Sequence, residues 1–264
     1  MIISIDDEDD PRVAPFRARD RQLAPGQAKT EAPLGLFVAE GDLVVLRALE
    51  LGYEPFAVLS GPHVPDSIVA NVHDLIPVYT ATHALRESLT GYGVQLDVIG
   101  LFHRREPESV EAALRKARRI VVLEAVDNPV NLGVIARTAA GLGFDALAVA
   151  ARSADPYARR SVRTSMGATL ALPCVRYDSL DQLDGFITVG LTPDESAADL
   201  DSLHFAPSAR IALLLGEERK GLRAETLAAA DHLVRIPMHL GVDSLNVAAA
   251  AAIACYALRR RSPY

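Results

Sequence analysis

Apolar residues along this chain fall into short continuous runs separated by stretches of helical spacing. From Leu34 the run LFVA reads as a buried strand, and DLVVLRALEL then places apolar positions three and four apart until Gly52 stops the helix. FAVLS, IPVY and DVIGLF follow as further strands with helical stretches between them, so residues 34–103 are expected to form a compact α/β unit. The segment REPESVEAALRKARR is polar and helix-prone, and 104–119 is taken as a linker. The strand IVVLEAV opens a second α/β unit over 120–264, with a mostly parallel sheet expected and LNVAAAAAIACYALRRR as its last helix. Residues 1–33 combine an acidic run with a Pro- and Arg-rich stretch poor in apolar side chains, and are expected to be an arm with little structure of its own.

Half of the 264 residues are hydrophobic, enough for a sizeable core. No apolar run approaches the ~20 residues that a membrane helix needs. MIISIDDEDD lacks the basic start and apolar core of a signal peptide, so the expectation is a soluble, cytoplasmic protein with no membrane partner. Cys174 and Cys255 are far apart and lack short-spaced metal-type partners, and the histidines are scattered, so two reduced thiols and no metal are expected. The net charge of −7 counts mildly against nucleic acid, but its distribution is uneven. Six basic residues face three acidic ones between Arg104 and Arg119, and Arg152, Arg159, Arg160 and Arg163 form a second basic group. Either could be no more than a solvated face.

Three stretches of the second unit carry candidate chemistry. In EAVDNPVNLGVIARTAAGLGFDALAV a strand ends near Val126, Asp127-Asn128-Pro129 turns the chain, and Asn131 sits where a helix begins and can cap it. Arg137 is a lone cation among Val134, Ile135, Ala136, Ala139 and Ala140, which by itself describes the surface side of an amphipathic helix. Gly141 to Ala146 fits G-x-G-x-x-A, but here that pattern closes a helix instead of opening one, so a dehydrogenase is set aside. In IALLLGEERKGL a fully apolar strand ends at Leu215 and Gly216, and the two glycines let the backbone turn tightly around Glu217 and Glu218. Such a loop can be an ordinary connection, yet the carboxyl ends of parallel strands are where α/β proteins bind ligands. In RIPMHLGVDSLNVAAAAAIACYAL a strand ends at Ile236-Pro237-Met238, Ser244 stands as a helix cap, and Asn246 falls in the first turn, where Asn is a poor helix former.

Taken in order, N-x-G-x-I-x-R, G-x-E-x-x-G-L and I-P-M…S-L-N-V resemble the three signature motifs of the SpoU/TrmH family of RNA 2′-O-ribose methyltransferases, in the SPOUT superfamily. The stretch from Asp10 to about Phe102 is also similar to the substrate-binding domain of many members, a small ribosomal-protein-like fold. The resemblance implies an α/β catalytic domain with a deep trefoil knot, a homodimer, S-adenosylmethionine as cofactor and transfer RNA or ribosomal RNA as partner. It implies catalytic roles for Asn131, Arg137, Glu218, Ser244 and Asn246. It places the cofactor against Leu215, Gly216, Glu217, Ile236, Met238, Ser244, Leu245 and Asn246. Arg137 would serve the acceptor beside cofactor held by the other subunit. An arginine is hard to deprotonate, with a solution pKa above ~12, so charge stabilisation is the simpler role for it. Arg159, Arg160 and Arg163 are candidate RNA contacts, with Arg159 and Arg163 spaced to share a helix face. The chief rivals are a knotted methyltransferase acting on an RNA base and a catalytically silent RNA binder.

Overall fold

Two sheets organise the computed structural model, which describes residues 1–26, 32–90 and 97–260. The chain divides into two compact units, Met1–Glu106 with Tyr157–Leu170, and Pro107–Pro156 with Ala171–Tyr264. The first holds β1 (Ile2–Ser4), α1 (Asp20–Leu23), β2 (Leu36–Glu40), α2 (Asp42–Glu50), β3 (Pro55–Ser60), α3 (Asp66–Val69), β4 (Val78–Thr80), α4 (His83–Thr90) and β5 (Val98–His103). Its five strands run in the order β1-β4-β3-β5-β2. β1, β4 and β3 are parallel, while β5 is antiparallel to both β3 and β2. The four strands anticipated from LFVA, FAVLS, IPVY and DVIGLF are all present.

The arm expected over 1–33 is corrected where it is described, residues 27–31 lying outside the described residues. Ile2–Ser4 pairs with Val78–Thr80 as an edge strand. Val13, Phe16 and Leu23 are buried in the same cluster as Leu36, Leu59 and Leu101. Isolated apolar residues among charges have no period to betray a strand or helix, yet three or four of them suffice to dock a segment.

The second unit contains α5 (Val110–Leu114), β6 (Arg119–Leu123), α6 (Pro129–Gly141) and β7 (Ala146–Ala150). The chain then passes through α7 (Arg159–Thr164) and α8 (Ala168–Ala171). β8 (Cys174–Tyr177), β9 (Ile187–Leu191), β10 (Ala198–Asp199), β11 (Ile211–Leu215), α9 (Ala224–Ala229), β12 (His232–Arg235) and α10 (Val247–Leu258) complete it. The sheet order is β10-β12-β9-β11-β6-β7-β8, and all six pairings are parallel. Its central strands bear apolar residues on both faces, as a sheet covered on both sides requires. α6 and α10 pack on one face through Leu132, Ile135, Ala136, Ala251 and Cys255. The alanines of α10 are what permit that close approach.

Two domain boundaries also differ from the sequence expectation. The 104–119 segment is no free linker, because Leu114 and Ala117 are core residues of the second unit. Tyr157–Leu170, expected inside the catalytic unit, belongs to the first, where Val162 and Leu170 join the core beside α2 and Tyr157 packs on Phe37. The carboxylate of Glu40, buried at the end of β2, meets Arg159 Nε at 2.9 Å and Arg163 Nη1 at 3.4 Å. A buried charge must find its counter-ion, and Glu40 takes both from a segment more than a hundred residues away.

Candidate active site

Because the second sheet is wholly parallel, the loops after β9, β11 and β12 leave from one edge. β9 runs into Thr192-Pro193-Asp194, β11 into Gly216–Leu222, and β12 into the segment that leads to α10. Together they line an open cleft of about 400 Å³. Leu215, Leu222, Leu227, Ile236, Met238 and Leu245 give it apolar walls, and Thr192, Asp194, Glu217, Glu218, Asp243 and Ser244 give it polar groups. The volume and the mixed lining fall in the range of small-molecule sites, about 300–1,000 Å³.

The β11 loop is closed on itself. Glu217 and Gly221 exchange backbone hydrogen bonds of 3.1 and 2.9 Å. A Cβ on Gly216 would lie 2.1 Å from the carbonyl carbon of Gly221, so no other residue fits there without opening the loop. The need for glycine at 216 thus comes from the loop's own backbone.

Three polar side chains link the sequence motifs. Asn131 Nδ2 donates to Glu218 Oε1 at 2.8 Å, and Asn246 Nδ2 donates to Asn131 Oδ1 at 3.2 Å. Asn246 Oδ1 in turn accepts from Ala248 N at 2.9 Å and caps α10. Two capping assignments made from sequence are therefore corrected. Asn128, not Asn131, caps α6 by accepting from Val130 N, and Asn246, not Ser244, caps α10. Asn131 sits one turn further in, with its side chain buried and committed to the motif network. Each displaced cap had a second capping residue within three positions, and propensity alone does not choose between neighbours.

Of the anticipated cofactor residues, Leu215, Gly216, Glu217, Ile236, Met238, Ser244 and Leu245 line the cleft. Asn246 does not, and acts at its edge through Asn131. Glu218 belongs both to the cleft and to the hydrogen-bond chain. Arg137 is brought to neither: it lies on the exposed side of α6 and forms no hydrogen bond or ion pair with any described residue. Val130 and Val134, seven and three residues before it, are also exposed, as are Ile253 and Tyr256 on α10. Among the RNA candidates, Arg160 is exposed, Arg163 is half-buried beside Glu40, and Arg159 is buried against the same carboxylate. Arg159 is thus a structural counter-ion and does not present its charge to phosphate.

Leu191, Thr192, Pro193 and Asp194 line the cleft but were missed from sequence. The signal was the run ITVGL ending in Thr-Pro-Asp, a third strand end of the same kind as the two recognised. Asp194 Oδ1 accepts from Ser196 N at 2.8 Å and from its hydroxyl at 2.7 Å, and these bonds hold its pKa below the ordinary carboxylate value. Glu124, at the end of β6, was also missed. It is buried and accepts from Arg223 N, from the Arg223 guanidinium and from the Thr226 hydroxyl, tying β6 to the chain just beyond the cleft loop. Burial pushes its pKa up, but the three hydrogen bonds together with the cation outweigh that and leave it below the ordinary value.

Residues 118–256 match the SpoU rRNA Methylase family, a span that contains the cleft and all three motifs. An uncharacterized tRNA/rRNA methyltransferase of Mycobacterium tuberculosis is 38% identical, over 95% of this chain and 89% of its own length. A 23S rRNA uridine 2′-O-methyltransferase of Streptomyces viridochromogenes is 35% identical over 53% of this chain and 52% of its own. The crystal structure of an AdoMet-bound rRNA methyltransferase from Sinorhizobium meliloti superposes with a TM-score of 0.80 at 26% identity, covering 97% of each chain.

Proposed function

The chain belongs to the SpoU rRNA methylase family, and from that premise we propose that it transfers a methyl group from S-adenosylmethionine to a ribose 2′-hydroxyl of RNA. The observation that carries this reading is the convergence of the three motifs: the second and third line one cleft, and Asn131, Glu218 and Asn246 join all three by hydrogen bonds. The cleft suits the cofactor chemically, with apolar walls at Leu215, Ile236, Met238 and Leu245 for the adenine and carboxylates for the cationic end.

When bound there, S-adenosylmethionine supplies an electrophilic methyl group on a positively charged sulfur. The protein's part is to hold the ribose oxygen in line with it, and such positioning supplies much of the rate. The cleft-lining residues of Gly216–Leu222 and Ile236–Leu245 would hold the cofactor. Arg137 binds the target ribose or its phosphate and stabilises the negative charge that develops on the oxygen as the hydroxyl proton leaves to solvent. Glu218 is the cleft carboxylate that the motif network holds, with Asn131 donating to one of its oxygens.

Arg137 serves a second copy of the chain in this reading. It is not among the residues that line its own cleft, and α6 and α10, which pack on each other, leave Val130, Val134, Ile253 and Tyr256 exposed, apolar surface suited to burial in a homodimer. The trefoil knot is proposed as well, on the match to the family. The first unit, a mixed α/β sheet, is proposed as the RNA-binding domain, with Arg160 and, in part, Arg163 as phosphate contacts. The test is incubation with methyl-tritiated S-adenosylmethionine and total RNA from cells lacking the protein. Label in RNA is expected. Cofactor binding without label in any RNA would favour a silent binder.

A further inference from the structure

We propose that Asn246, Asn131 and Glu218 form a polarity relay in which the cap of α10 dictates how the cofactor loop is held. The proposal rests on the methyltransferase reading of the cleft. A backbone N–H can only donate, so the Asn246 atom 2.9 Å from Ala248 N must be the amide oxygen. Its NH₂ then faces Asn131, which must present its own oxygen at 3.2 Å. That leaves the NH₂ of Asn131 pointing at Glu218 Oε1, 2.8 Å away. Each amide is fixed by the one before it, and turning either over would set donor against donor or acceptor against acceptor.

The relay explains a residue choice that capping does not. Ser, Asp and Asn are equally good caps, but ionised Asp cannot donate, and Ser has a single atom for both bonds, whereas Asn246 accepts from the helix through Oδ1 and donates onward through a separate Nδ2. Asn131 is 7% exposed, so a mismatched amide there would be poorly rescued by water. At the far end Glu218 sits inside the loop that Glu217 and Gly221 close, and that loop is one wall of the cleft. Asn246 and Asn131 are thus positioning residues. They hold Glu218 as an acceptor and keep the loop in its cofactor-ready shape, leaving the second Glu218 oxygen outside the chain.

The relay is tested with Asn246→Asp, Glu218→Gln and the double variant, measuring S-adenosylmethionine affinity by calorimetry and thermal unfolding alongside. Asp caps as well as Asn, so Asn246→Asp keeps the cap that Asn246→Ala loses, but it sets an acceptor against the buried Asn131, which lowers Tm and weakens cofactor binding about tenfold, and the double variant is expected to recover both. Glu218→Gln keeps an acceptor oxygen and loses about threefold or less. In the double variant Asn131 turns over, accepts from Gln at 218 and donates to Asp at 246, so affinity returns to the level of Glu218→Gln alone. A double variant no tighter than Asn246→Asp overturns the relay, as does wild-type affinity in Asn246→Asp. Wild-type Tm and wild-type affinity together in Asn246→Asp, with Tm lost in Asn246→Ala, would reduce the residue to a helix cap. Failure of the wild-type protein to bind S-adenosylmethionine would instead remove the methyltransferase reading beneath it.

Discussion

Replacing Arg137 separates a catalytic role from a structural one unusually well. The side chain is exposed on α6 and makes no hydrogen bond or ion pair with a described residue, so the fold has little invested in it. Arg137→Ala is expected to change unfolding free energy by no more than about 0.5 kcal/mol, the usual scale for such surface sites. If the guanidinium binds the acceptor ribose or phosphate, each charge-assisted bond lost is worth about 1.5–3 kcal/mol. At 1.36 kcal/mol per tenfold, turnover should fall roughly ten- to a hundredfold for every bond. Arg137→Lys keeps the charge but not the planar fork, and is expected to fall between the two, at least about tenfold below wild type. The assay is single-turnover methyl transfer at saturating cofactor, with cofactor affinity and Tm measured on the same preparations. Nearly full turnover in Arg137→Lys would refute a specific guanidinium role. A large drop in Tm for either variant would refute the description of the residue as free of the protomer's own structure.

Gly216→Ala should open the β11 loop, since its Cβ would sit 2.1 Å from backbone; a loss of cofactor binding with about 1–3 kcal/mol of destabilisation is expected from denaturant unfolding. Glu124 has a folded pKa below its ordinary value, so its stabilisation is present at neutral pH and is lost as pH falls below about 4.3 toward the folded pKa. Glu124→Gln should therefore destabilise at pH 7 by about 1–3 kcal/mol and flatten the acid side of the stability–pH profile; an unchanged profile would contradict the network described around it. If the exposed apolar residues of α6 and α10 form the proposed homodimer interface, Val134→Glu with Tyr256→Glu should make the protein sediment as a monomer where the wild type sediments as a dimer, while far-ultraviolet circular dichroism stays the same. A dimer that persists would place the interface elsewhere.

The main strands of both sheets were legible as apolar runs, and the cleft loops after β11 and β12 because motifs fell at those strand ends. Ile211–Leu215 ending at Gly216 shows both signals, and ITVGL ending at Thr192-Pro193 shows the same pattern without a recognised motif behind it. What was illegible depended on contacts between distant parts of the chain. The burial of Phe16 and the pairing of Ile2–Ser4 with Val78–Thr80 leave no local trace in a Pro- and Arg-rich segment. Arg159 reads as a solvated cation until Glu40 is seen beneath it. Every one of Asn128, Asn131, Ser244 and Asn246 has the chemistry to cap, and sequence could not show that tertiary hydrogen bonds commit Asn131 to Glu218 and place Asn246 beside Asn131. Those same bonds made the motif residues into one network, which their spacing in sequence does not disclose.

The most direct test of the account is the identity of the methylated atom. RNA methylated by the protein with labelled S-adenosylmethionine should be digested to nucleosides and resolved by mass spectrometry. Label in a 2′-O-methylnucleoside, in a linkage that resists alkaline hydrolysis, is the predicted result. Label on a base, with every ribose hydroxyl unmodified, would contradict it.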